Sequence, residues 1–163
     1  LSRAKMIKID LSNVVESVVE DFNSDLLNSN KNIKIHINNS NLNGSKLSVL
    51  GVESKLEQIV ANLLDNAISF SPSNSVISVI CDINKKSAQL VIKDEGPGFN
   101  EKNINKVFNR FYSNRPEKFG EHSGLGLNIV KNIIELHGGS IVASNKAGHK
   151  KGAIIQVQLP IYK

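Results

Sequence analysis

Residues 53–72 read E-S-K-L-E-Q-I-V-A-N-L-L-D-N-A-I-S-F-S-P, and this stretch decides the fold. At 3.6 residues per turn, Leu56, Ile59, Val60, Leu63, Leu64 and Ala67 fall in one apolar stripe, which predicts an amphipathic helix. Pro72 predicts its end, because the residue before a proline is pushed out of helical angles. The remaining face is unusual. Gln58, Asn62 and Asn66 recur every fourth residue, a ladder of neutral amides up one side. An amide offers both a carbonyl acceptor and NH2 donors, and its carbonyl is a hard oxygen that suits magnesium. Asparagine is abundant elsewhere (28-NSNKN-32, 38-NNSNLN-43), so the ladder taken alone reads first as an ordinary solvated face.

Around this helix the chain has 163 residues, enough for one domain with a real core. A hydrophobic content of 40% with 21% charged residues describes a globular chain. No apolar run approaches the roughly 18 residues that a membrane helix needs. Cys81 is the one cysteine, set in an apolar run, and reads as a small buried hydrophobe. The net charge of +5 raises the question of nucleic acid, but the lysines are scattered and only two tyrosines and no tryptophan offer stacking surface. Neither nucleic acid nor a membrane is expected as a partner of this domain.

Before the helix, Ile7 and Ile9 alternate with lysines and predict a short strand. Asp10 caps a helix over 11–27, and strands follow at 33–37 and 47–50, with a loop at 39–46. His36 alternates with isoleucines and points to solvent. After Pro72, residues 76–83 and 88–94 predict a hairpin turning at Asn84-Lys85-Lys86-Ser87. A short helix is expected at 101–107, irregular chain at 108–123, and a helix at 124–137 ended by His137-Gly138-Gly139, where glycine suits a left-handed cap. His137, at that helix end, reads as a cap. Strands at 140–144 and 153–159 complete the order β-α-β-β-α-β-β-α-β-β. The pattern predicts an α/β (α+β) two-layer sandwich, a mixed sheet with helices packed on one face.

Two glycine motifs lie beyond the amide helix. Asp94-Glu95-Gly96-Pro97-Gly98-Phe99 puts a carboxylate at a strand end, before two glycines that permit close backbone approach. Such a carboxylate accepts from an exocyclic amine such as N6 of adenine; Glu95 reads as a surface turn residue. Gly120-Glu121-His122-Ser123-Gly124-Leu125-Gly126-Leu127 opens a helix whose free N–H groups suit phosphates.

Together, in this order and spacing, these stretches resemble the catalytic ATP-binding domain of sensor histidine kinases, members of the Bergerat-fold superfamily with type II topoisomerases, MutL and Hsp90. The resemblance covers essentially all of residues 1–163 as a single domain. N-L-L-D-N-A (62–67) is similar to the N box, D-E-G-P-G-F (94–99) to the first glycine box, V-F-N-R-F-Y (107–112) to the F box and S-G-L-G-L (123–127) to the second glycine box. S-F-S-P (69–72) and the stretch from Arg110 to Leu127 resemble the alphaproteobacterial ChvG/BvrS branch.

The resemblance implies a protein-histidine kinase of a two-component system that uses ATP and Mg²⁺. Asn66 would hold the metal, with Asn62 as a second candidate, and Asn62 and Gln58 would act at the transferring phosphate. Asp94 would bind the adenine amine, Gly96 and Gly98 would let backbone or water reach the ring, and Phe70 would lie against the base. Phe108, Phe111 and Tyr112 would anchor the ATP lid at 109–122, although plain core packing accounts for such aromatics equally well. Gly124, Leu125, Gly126 and Leu127 would cradle the phosphates.

Two departures stand out. Where family members often carry a cation, this chain has Ser69 and Ser113. The lid's basic residues Arg115 and Lys118 are the candidate replacements, Arg115 foremost because Pro116 stiffens its backbone.

None of His36, His122, His137 and His149 lies in an H-E-x-x-x-P-L motif, so the phosphorylated histidine is expected on a separate dimerisation hairpin, with residues 1–10 as the junction to it. A homodimeric full-length protein, a response regulator as partner and a cytoplasmic position in an inner-membrane sensor are further implications of the resemblance. Hydrolytic relatives, and the serine kinases that act as anti-sigma factors, carry Glu where this chain has Asn62. An amide is no general base, so hydrolysis is expected to be poor. A partner-binding domain without catalysis stays open beside the kinase reading because of the two serines.

Overall fold

The computed structural model describes residues 5–100, 104–109, 126–148 and 150–163. The elements follow the expected order: β1 (Ile7–Asp10), α1 (Leu11–Leu26), β2 (Lys34–Asn38), β3 (Ser48–Gly51), α2 (Glu53–Phe70), β4 (Val76–Asn84), β5 (Ser87–Lys93), α3 (Gly126–Leu136), β6 (Ser140–Asn145) and β7 (Ala153–Pro160). A short 3-10 turn at Ile104–Phe108 precedes α3. Residues 101–103, where the short helix was expected to begin, lie outside the described residues, as do 124 and 125 at the expected start of α3.

Five strands form one sheet in the order β2-β4-β5-β7-β6, with β2 parallel to β4 and the other pairings antiparallel. Period-two alternation sends Ile77, Val79, Cys81, Leu90, Ile92, Ile155 and Val157 to one face, where all are buried. Val15, Leu56, Val60, Leu64, Val130 and Ile134 of the three helices join them in one core cluster. This is the two-layer sandwich with helices on one face. It carries an addition: β1 and β3 form their own antiparallel ladder, Ile7 opposite Gly51 through Asp10 opposite Ser48. β1 passes directly into α1 at Leu11, and β3 meets the chain just past β7 through a bridge between Val49 and Ile161.

Local chemistry explains the helix ends. Asp10 Oδ1 accepts from Ser12 N (3.1 Å), Ser12 Oγ (2.6 Å) and Leu47 N (3.0 Å), capping α1 and tying it to the start of β3. Burial alone would raise its pKa, but hydrogen bonds from Ser12, Leu47 and Asn13 outweigh it and hold the carboxyl below its ordinary value of 3.8. An aspartate lowered in this way contributes stability above its unfolded pKa and loses it as pH falls through the folded one. Asp10→Ala is therefore expected to cost about 1 kcal/mol at neutral pH, read as a fall in the urea midpoint. The gap to the unmodified chain should narrow as the pH is taken below 3.8. An unchanged midpoint at neutral pH would remove the cap.

α2 stops at Phe70, and Ser71 turns extended (φ −87°, ψ 140°) ahead of Pro72. α3 closes with Gly138 in the left-handed region (φ 75°) and Gly139 N–H donating to Ile134 O at 2.9 Å. The buried Cys81 thiol is pushed up to about 12, by burial first and then by Glu16 and Asp10. That leaves it an inert packing group. No helix among the described residues is long and apolar enough to cross a membrane.

Candidate functional site

α2 buries its whole predicted stripe and turns the amide ladder away from it, so Gln58, Asn62 and Asn66 are all half-buried on one face. The side chains of Gln58 and Asn62 make no hydrogen bond to the described residues. Half-buried amide oxygens on one helix face are a donor set that fits Mg²⁺, a hard cation.

The second component is Asp94, 3% exposed, at the point where β5 leaves the sheet. Its backbone N–H still pairs with Ala153 O at 3.0 Å, but its side chain replaces the next rung of the ladder. Oδ1 accepts from Ala153 N at 3.0 Å and from Gly96 N at 2.9 Å. Two backbone donors on one oxygen fix the rotamer, and a carboxylate has lone pairs for about four donors in all.

Gly96 joins the two components. A Cβ built on it would lie 2.3 Å from Phe70 O and 3.3 Å from Asp94 Oδ1. The Asp94 turn therefore sits directly on the last turn of α2, and Asn66 stands about one helical turn, some 6 Å, further up. Gly98 (φ 82°) presses on Asn145, whose Oδ1 would be 2.7 Å from an added Cβ. The Asn145 amide clamps the loop by accepting from Phe99 N (2.7 Å) and donating to Phe99 O (3.0 Å).

Several residues that build the site carried no sequence signal. Asn145 is hidden in an asparagine-rich chain. Gly152 (φ 150°) looked like loop, yet a Cβ there would meet Asp94 O at 2.1 Å. Glu95 does more than solvate a turn: its Oε1 accepts from Val76 N at 2.6 Å and ties the loop to β4. His137 does not only end α3. Nδ1 lies 2.8 Å from Ile133 O, and Nε2 accepts from Val52 N (3.2 Å), which joins α3 to the start of α2. Gly51 leaves room for that ring, 2.9 Å from where its own Cβ would be.

Other expected site residues divide by place. Phe70 is 3% exposed yet stands outside the contiguous core cluster, buried at the end of α2. Phe108 is buried in the core itself, its carbonyl held by Asn128 Nδ2 at 3.1 Å, so packing accounts for it. Leu127 has its side chain in the core, 7% exposed, so its backbone is the part that could meet a ligand. Gly126 is exposed, and a Cβ there would meet nothing within 4 Å among the described residues. Tyr112, Arg115, Lys118, Gly124 and Leu125, together with Phe111, Ser113, His122 and His149, lie outside the described residues.

With this geometry in place, similarity to known proteins can be stated. The family described as "Histidine kinase-, DNA gyrase B-, and HSP90-like ATPase" matches residues 51–163. The sensor protein ChvG of Rhizobium meliloti is 35% identical over 168 residues, covering 98% of this chain and 29% of ChvG. The chain thus spans less than a third of that relative. Among solved structures, the mycobacterial sensor histidine kinase MprB superposes with a TM-score of 0.79 at 30% identity, covering 96% of this chain and 97% of the MprB chain. Histidine kinase ThkA in complex with the response regulator protein TrrA gives 0.77 at 22% identity over 96% of this chain and 42% of ThkA, a likeness of fold alone.

Proposed function

The chain belongs to the histidine kinase-, DNA gyrase B- and HSP90-like ATPase family as an ATP-binding domain of the sensor histidine kinase kind, and from this premise we propose that it binds Mg-ATP and donates the γ-phosphate to a histidine on a separate dimerisation hairpin. The observation that supports this most is the seating of Gly96 on Phe70 O, which sets an oriented carboxylate beside an amide-bearing helix. Asp94, aimed by Ala153 and Gly96, accepts the exocyclic amine of adenine. Asn66 holds the metal, Asn62 and Gln58 line the same face, and the N-terminus of α3 at Gly126 faces phosphate oxygens. Asn66 would hold Mg²⁺, which when bound would supply positive charge beside the phosphate oxygens. Phosphoryl transfer asks mainly for positioning and charge stabilisation, and the residues named here supply the positioning. Asn62 orients without taking a proton, which favours transfer to an imidazole over hydrolysis.

The full protein is proposed to be a homodimeric, membrane-anchored sensor whose phosphate passes to a response regulator, the class of partner named for ThkA. Arg115 and Lys118 remain the proposed cations for the triphosphate. The test is an ATP titration of the chain with and without Mg²⁺, followed by incubation with labelled ATP. The chain should bind ATP more tightly with Mg²⁺ and leave itself unlabelled, then label a histidine once joined to its dimerisation hairpin. Absence of ATP binding, or acid-labile self-phosphorylation of the 163-residue chain, would overturn the reading.

A further inference from the structure

We propose that Lys31 is a positioning residue for the nucleotide site, acting from outside it by holding the last turn of α2; the inference rests on the ATP-site reading above. Lys31 lies between α1 and β2, remote from every motif in the sequence. Its Nζ nonetheless donates to Ile68 O and Ser71 O, both at 2.9 Å, and reaches Ser69 O at 3.5 Å. The last carbonyls of a helix have no partner inside it and carry the negative end of the helix dipole. α2 has no basic residue in its own last turn. Ser71 meets part of the need, its Oγ donating to Ala67 O (2.7 Å) and its N–H to Ile68 O (3.2 Å). Lys31 brings the cation from 37 and 40 residues away.

The ammonium is delivered by a braced segment. Lys31 N donates to Ser29 Oγ (3.1 Å), and Lys31 O accepts from Ile33 N (3.0 Å). Partial burial pulls its pKa below the ordinary lysine value, as befits an ammonium drawn out of bulk water. The turn it grips carries the site. Phe70 O, flanked by the carbonyls that Lys31 binds, is the surface on which Gly96 rests, and Gly96 N–H orients Asp94. Asn66 lies two residues before Ile68 on the same helix. Slackening this turn shifts the adenine acceptor and the metal ligand together.

The test compares Lys31→Met, which keeps the apolar stem and deletes the charge, with Lys31→Arg, which restores it. Mg-ATP affinity should fall about tenfold in Lys31→Met and recover largely in Lys31→Arg, the size expected when buried carbonyls lose a charged donor. In heteronuclear NMR, the amide of Gly96 and the side-chain NH2 of Asn66 should move in Lys31→Met while Ala143 on β6 stays put. If Lys31→Met does not fold, Lys31→Gln, which keeps a donor without the charge, carries the comparison. A Lys31→Met protein that binds ATP like the unmodified chain, or a loss that Lys31→Arg does not recover, overturns the role. Failure of the unmodified chain to bind ATP would sink the ATP-site reading instead, so the two failures are distinguishable.

Discussion

Asp94→Asn should fold normally and lose at least about tenfold in ATP affinity, with no gain for GTP. Asn keeps an oxygen where Oδ1 stands, so Gly96 N and Ala153 N retain their acceptor and the turn keeps its seat on Phe70 O. What changes is the second oxygen, which becomes an NH2. A donor then faces the donor of an exocyclic amine, and one hydrogen bond is exchanged for a repulsive pair. Asp94→Ala would be a poorer probe, because it strips the acceptor from two buried backbone N–H groups at about 1–3 kcal/mol each and confounds recognition with folding. Equilibrium titration of folded Asp94→Asn with ATP and GTP decides the matter. Undiminished ATP affinity would remove Asp94 from adenine recognition.

The fold was legible because its signals are local and periodic. The stripe from Leu56 to Ala67 and the alternation of Ile77, Val79 and Cys81 name their own buried faces. Asp10, Pro72 and Gly138 announce element ends through backbone chemistry that each carries alone. Register was less visible. β3 runs Ser48–Gly51, one residue later than the apolar run suggests, because Leu47 N is bound to the Asp10 carboxylate. The pairing of β1 with β3 needs three dimensions to be seen at all. In the candidate site, the amides of α2 and the Asp94 turn could be picked out because they occur together with a second glycine motif, in one order and spacing, although neither pattern is distinctive alone. Their supports could not. Asn145, Gly152, Lys31 and His137 act across 46, 58, 37 and 85 residues of chain respectively, from ordinary-looking positions. A residue type that is common in the chain, or a glycine in a lysine-rich loop, acquires meaning only when the sheet and helices bring it to its partner.

Asn66→Ala should abolish phosphoryl transfer while leaving the protein folded. The fold is safe because the neighbouring Leu63, Leu64 and Ala67 carry the burial of this turn, whereas Asn66 is half-buried on the flank of their stripe. Alanine is also the better helix former, by up to about 0.7 kcal/mol. Transfer is not safe, because an amide oxygen removed from beside the phosphates takes with it the protein's hold on the metal. Losing one group that stabilises charge in a transition state commonly costs about 10²–10³-fold in rate. The effect should also have a signature that a general packing defect lacks. ATP binding measured without Mg²⁺ should change little, and the increment that Mg²⁺ adds in the unmodified chain should disappear. Thermal melts, ATP titrations with and without Mg²⁺, and labelling of an added dimerisation hairpin separate these terms. A variant that labels the hairpin at the unmodified rate, or that keeps the full Mg²⁺ increment, would take the metal away from Asn66. Asn62, one turn earlier on the same face, would then be the residue to test.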